Sequence, residues 1–293
     1  MTRQRYLSCA AVSEFVAWAA DYSVIWPKRH HVRCSRNSPA MDFHIEGIEE
    51  AHRLYRWHSQ WTHPDTGNRH RSTDGASTEA ALAEMAAGLQ TSLAVGDSER
   101  HRLFAHAVLD WGGVPVSKRF YDALHGQGRL IDYHRRLHAG DTAALDPDRA
   151  DDDRLDRVED MSSGITKVHC LLSKGRLPIY DTRFGAALAE LVARWCVVRG
   201  RCQVPEELLL GCAMAKGHQR RAPQGPGRQR YPRLFVASPQ QWMQWQVRSC
   251  WLVEAILSAH RGLFAGLPLA ARVNRFAMGC FMIGYDLADR DAA

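Results

Sequence analysis

A chain of 293 residues can bury a substantial core in one large or two small domains, and its 45% hydrophobic and 24% charged residues are those of an ordinary globular protein. No apolar run approaches the ~20 residues of a membrane span, and Glu14 and Asp21 break the apolar stretch behind the N-terminus, so neither a span nor a signal peptide is expected and the reading is cytoplasmic. The net charge of +6 suits a polyanionic partner without requiring one, and it is carried mainly by arginine, with only five lysines (28, 118, 167, 174 and 216).

In chain order, residues 10–26 have a helical pattern that Pro27 and the basic run 28–33 end. The first forty-one residues read as an N-terminal appendage, because a cleaner helical pattern begins only at 45–61. Residues 62–76 are polar and turn-rich. Residues 78–94 read as a helix capped by Ser77 or Thr78, and 98–111 as another, stopped by Gly112-Gly113. Two shorter helices follow at 118–124 and 130–137. The segment 141–160 is acidic, with nine Asp or Glu against three Arg, and reads as a solvated loop and helix face. Further helices are expected at 164–174, 182–199, 204–216, 238–260 and 268–280, with an Arg-, Gln-, Gly- and Pro-rich loop at 217–237. No alternating strand pattern persists, so the expected class is all-α, divided into 1–41, a helical part at 42–150 and a second part at 151–293.

The chemistry-bearing stretch is 164–184. Ile165, Val168, Leu171 and Leu172 form one apolar stripe, and Lys167 lies off it. Asp181 precedes a second amphipathic helix, where an Asp caps free backbone N–H groups and is held in a fixed direction. A lysine amine and a carboxylate facing one centre can serve as nucleophile and as stabiliser of developing positive charge.

Thr166-Lys167-Val168 followed by Pro178-Ile179-Tyr180-Asp181 resembles the core of the helix-hairpin-helix DNA glycosylases of the 8-oxoguanine type. The specific likeness covers about 25 residues. It implies a helix-hairpin-helix fold of two helical lobes with a DNA-binding cleft between them, acting as a monomer without cofactor or metal on double-stranded DNA. It makes Lys167 the Schiff-base lysine and Asp181 the catalytic aspartate, with Gly164, Thr166 and Arg183 at the DNA. Three departures stand out. The family's Leu-Pro-Gly-Val-Gly hairpin is replaced by Met-Ser-Ser-Gly-Ile at 161–165, the Lys-to-Asp interval is shortened to 14 residues, and Arg183 stands where the repair enzymes often carry His. The chain thus resembles a divergent bacterial branch that includes phage-defence glycosylases acting on hypermodified cytosine. Excision of oxidised guanine, and a DNA-binding module without catalysis, are the alternatives.

Beyond that stretch, Arg220, Arg221, Arg228 and Arg230 are the phosphate-contact candidates. Trp111 is the candidate wedge for a flipped base, and Trp242 and Trp245 are candidates for the base pocket. The cysteines lack a C-x2-C pair, which argues against an iron–sulfur cluster, and the His58/His63 and His101/His106 spacings point helical side chains apart rather than at one metal.

Overall fold

The computed structural model describes residues 1–32, 41–140, 143–212, 222–223 and 225–287. The chain opens with α1 (Arg3–Leu7) and α2 (Ala10–Tyr22) and reaches a hairpin of β1 (Lys28–Val32) and β2 (Met41–Ile45). After α3 (Ile48–Arg53) comes a second antiparallel hairpin, β3 (Ser59–Thr62) with β4 (Arg69–Ser72). The rest is helical: α4 (Gly75–Val95), α5 (Ser98–Trp111), α6 (Lys118–Gly126), α7 (Leu130–His138), α8 (Ile165–Leu172), α9 (Thr182–Val198), α10 (Pro239–Ala259) and α11 (Leu269–Ile283). The class is mainly α, with the two small hairpins as additions that the sequence pattern did not reveal.

The helix expected at 45–61 is replaced by β2, the short α3 and β3. Asp42 and His44 are exposed while Phe43 and Ile45 are buried, a period of two too short to register against the helical pattern around it. The helix expected at 204–216 is only a 3-10 turn, Glu206–Leu208, behind Pro205, and its last residues lie outside the described part of the chain. The α4 cap is Asp74 rather than Ser77 or Thr78. Its carboxylate accepts from Ser77 N at 2.9 Å while the Ser77 hydroxyl accepts from Asp74 N, closing a reciprocal capping box.

The first residues are no appendage. Tyr6, Val12 and Phe15 are fully buried in the same hydrophobic cluster as the rest of the chain. Helix α2 packs on α9 and α10, and the Tyr6 hydroxyl donates to the Glu207 carbonyl at 3.0 Å. From β1, the buried Lys28 ammonium meets Glu190 of α9 at 3.0 Å.

Helices α4 and α5 pair, α6 and α7 pack on α5, and α9, α10 and α11 form a second group. Helix α8 packs on both α4 and α5, and α11 packs on α9 and α10. The gap between α4, α8, the start of α9 and α11 is where the polar residues of 164–184 converge.

Candidate active site

A cavity of about 530 Å³ opens in that gap. Its walls are mainly apolar: Leu82 and Ala86 of α4, Trp111 at the end of α5, Phe184 of α9, and Met278 and Phe281 of α11. Lys167 and Asp181 both line it.

Lys167 is only 6% exposed. Its stem passes over Gly112, where an added Cβ would lie 2.6 Å from Lys167 Cδ, so a larger residue at the end of α5 would displace the lysine from this path. The amine donates to the Ser163 carbonyl at 2.7 Å. Burial is the main force on its pKa, opposed by Asp181 and reinforced by Arg183, and the outcome is a fall from 10.5 to about 8. About a tenth of the amine is therefore neutral at pH 7, far more than in a solvated lysine, and the neutral form is what a nucleophilic amine needs.

Asp181 is the N-cap of α9. Its Oδ1 accepts from Arg183 N at 3.0 Å and Phe184 N at 2.9 Å. The cap uses one oxygen, so the carboxylate is fixed in direction without spending its second oxygen. The extended segment in front of it is held from α10. Fully buried Gln246 donates to both the Thr166 carbonyl (3.1 Å) and the Pro178 carbonyl (2.8 Å), tying the start of α8 to the approach to Asp181. From the other side, α11 ends so close to α9 that a Cβ on Gly284 would lie 1.9 Å from the Arg183 carbonyl oxygen.

The remaining candidates are placed differently. Thr166 is fully buried, its hydroxyl donating to the Ser163 carbonyl at 3.0 Å, and Gly164 is buried as the N-cap of α8, so neither presents a surface to DNA. Residues 161–164 form a turn in which Ser162 Oγ accepts from Ile165 N at 3.1 Å, and the segment before it is a 3-10 helix, Asp152–Arg157. Arg183 is turned into an aromatic cage, with its guanidinium 4.4 Å from the Phe281 ring centre, 4.9 Å from Tyr285 and 5.3 Å from Trp57. It acts on the cavity through its charge rather than as an open DNA contact.

Trp111 is buried, donating from Nε1 to Ser72 Oγ at 3.1 Å, and it is cavity wall rather than a projecting wedge. Trp242 and Trp245 are buried outside the cavity lining. Trp242 donates to the Tyr180 carbonyl at 3.3 Å and Trp245 packs against Gly211, because both side chains are consumed by the α10 core face. Arg230 is exposed, while Arg220, Arg221 and the side chain of Arg228 lie outside the described residues.

Two contributors carried no sequence signal. Arg275 of α11 makes a two-pronged ion pair with Glu79 of α4 (3.0 and 3.2 Å), and this pair lines the cavity as its polar end, with His52 3.5 Å from Glu79. The second is Gln246. Both join positions more than sixty residues apart. Among the described residues no group of His, Cys, Asp and Glu is arranged to hold a metal, and no helix is long and apolar enough to cross a membrane. Comparison with protein families, with curated proteins and with solved structures finds no match to this chain.

Proposed function

We propose that the protein is a DNA glycosylase that takes a modified base out of duplex DNA, encloses it in the cavity between α4, α8 and α11, and cleaves its N-glycosidic bond. The observation that carries this reading is the joint placement of a buried amine of lowered pKa and an N-capping carboxylate on one mainly apolar cavity. As the glycosidic bond lengthens, positive charge develops on C1′ and Asp181 stabilises it. The neutral Lys167 amine forms a bond to C1′. The base leaves with the bonding pair and takes up a proton that the attacking nitrogen loses. Ring opening then yields a Schiff base, which water hydrolyses to an abasic site. The base must leave the stack first, since C1′ is inaccessible within it.

A volume of about 530 Å³ lies within the roughly 300–1,000 Å³ of pockets that enclose whole small molecules, more than an unmodified pyrimidine fills. The polar Glu79–Arg275 end adds hydrogen-bonding groups for a substituent. That end favours a base with an added polar substituent, such as a hypermodified cytosine in foreign DNA, over oxidised guanine.

Mass spectrometry of bases released from oxidised, alkylated and phage-modified DNA identifies the substrate. On that DNA, borohydride is expected to trap a covalent complex that Lys167→Gln does not form. Asp181→Asn is expected to keep DNA binding and lose excision by about 10²–10³-fold. Undiminished excision in Asp181→Asn would falsify the mechanism.

A further inference from the structure

Helix α8 ends on a left-handed turn that places a lysine where glycine is favoured. Gly175 has φ +77°, but Lys174 before it also has φ +56°, and among the described residues Phe264 is the only other non-glycine with positive φ. The turn closes α8 with Lys174 N donating to the Leu171 carbonyl (3.2 Å) and Gly175 N to the Cys170 carbonyl (2.9 Å), bonds that a glycine at 174 would make equally well. The strain therefore directs attention to the lysine side chain. Lys174 is exposed and lines the cavity that holds Lys167 and Asp181, and its ammonium has no partner among the described residues. Arg176, on the far side of Gly175, is instead fully engaged by Asp148 (2.6 Å) and Glu254 (3.0 Å). Asn274 of α11 packs against the same turn. A Cβ on Gly175 would lie 2.4 Å from Asn274 Nδ2, so a side chain there would displace the carboxamide. Asn274 also lines the cavity, and its Oδ1 takes only a long contact from the Cys170 thiol at 3.8 Å.

We infer that Lys174 and Asn274 are specificity-determining residues that bind an oxyanion carried by the base in the cavity, so that the substrate is a base bearing a carboxylate. This deepens the glycosylase reading and rests on it for the identity of the ligand as a base. The other charged residues on the cavity wall already have protein partners. Arg275 is held by Glu79, Asp181 caps α9, and the Lys167 amine donates to the Ser163 carbonyl. What the α8–α11 side still offers is donors, an ammonium and a carboxamide NH2 group. An ammonium has three donors and no acceptor, and an ionised carboxylate only accepts, so the two fit without leaving either one unpaired. A neutral hydroxyl accepts as well, but the bond lacks charge on both sides and is weaker. Because Lys174 and Asn274 share one cavity with Asp181, the oxyanion belongs to the base that enters it rather than to a backbone phosphate outside.

The test uses the full chain and three duplexes that differ at one base: cytosine, 5-hydroxymethylcytosine and 5-carboxycytosine. By fluorescence anisotropy the wild type is expected to bind the 5-carboxycytosine duplex about tenfold more tightly than the other two. Lys174→Gly suits the φ of +56° and is expected to fold at least as well as wild type, yet to lose the preference, with the three affinities within about twofold of one another. Lys174→Arg is expected to restore part of it, and Asn274→Asp, which sets a like charge beside the substituent, to turn it against the carboxylated duplex. Equal affinity of the wild type for all three duplexes overturns the inference, as does a preference that Lys174→Gly retains. So does an equal loss on all three in Lys174→Gly with a salt dependence shallower by about one unit of log–log slope, which would make Lys174 a phosphate contact. The glycosylase reading fails separately, because the preference is read from binding alone. If it behaves as expected while no DNA in the base-release panel yields a free base, the oxyanion site stands and the chemistry falls.

Discussion

An amine 6% exposed beside a carboxylate and an arginine titrates where its surroundings decide, and here burial outweighs the carboxylate. If Lys167 is the nucleophile proposed above, only its neutral amine can attack C1′, and borohydride trapping is expected to rise with pH through about 8 and level off above it. Arg183 pushes in the same direction as burial, and its cage of Trp57, Phe281 and Tyr285 keeps that charge in place. Removing the charge with Arg183→Gln relieves one cause of the lowered pKa, so the trapping midpoint is expected to move upward, toward the 10.5 of a solvated amine. A midpoint that stays put or moves down contradicts the assignment, and Arg183→Lys, which keeps the charge but not the planar stacking, is expected to fall between. Lys167 and Asp181 could be singled out in the sequence because a single short stretch of chain carries both. The cage, by contrast, gathers residues 57, 183, 281 and 285 from the loop before β3, from α9, and from α11 and the turn after it, and nothing local marks them as neighbours. The sequence suggested Arg183 as a DNA contact, whereas in the fold it is half-buried with its guanidinium against three aromatic rings.

At the level of elements, Asp181 has a task independent of chemistry. It closes the first turn of α9, a helix buried along most of its length. Asp181→Ala removes both accepting bonds and is expected to cost about 0.5–2 kcal/mol in urea or thermal unfolding, whereas Asp181→Asn, also a good cap, stays within a few tenths. An alanine variant as stable as wild type would show that the cap contributes nothing and that the carboxylate is kept for another reason. The contrast also separates fold from reaction, since both variants lose the charge. Helix limits were legible where stop signals are strong: α5 runs over Ser98–Trp111, as its Asp97 cap and the following Gly112-Gly113 dictate. The hairpins were not legible, because strands of four or five residues give only two alternations. Residues 206–211 escaped for a different reason. The run Leu208-Leu209-Leu210 has helical propensity, but tertiary bonds claim its backbone, with Tyr6 and Tyr180 donating to the carbonyls of Glu207 and Gly211.

Over the whole molecule, a chain of histidines runs from α8, the helix that carries Lys167, through α7 to α5. His101 of α5, His134 of α7 and His169 of α8 are fully buried, and His138 is half-buried. His101 Nδ1 lies 2.9 Å from Ser92 Oγ and 3.1 Å from the Leu89 carbonyl, and its Nε2 lies 2.7 Å from His134 Nδ1. His134 Nε2 has no partner among the described residues, nor has His169 Nε2, whose Nδ1 lies 2.8 Å from His138 Nε2. Burial holds all four below 6.5, His101 at about 4 and His169 at about 3, with mutual repulsion adding to the effect at His134 and His138. Between those values and 6.5 the unfolded chain binds more protons than the folded one, so stability rises with pH through this window. Conversely, the stability is intact above about 6.5 and drains as pH falls toward 4, by about 1.4 kcal/mol per pH unit for each imidazole in its window. Urea unfolding between pH 7 and 4.5 is expected to show this slope, and His134→Phe, which keeps an aromatic ring in the same contacts, to flatten it. Because His169 shares α8 with Lys167, acid-induced loosening is expected to start there, and amide exchange along α8 and α7 should rise before exchange in α10. Uniform exchange across all helices would mean that the histidines report global unfolding only and have no local hold on α8.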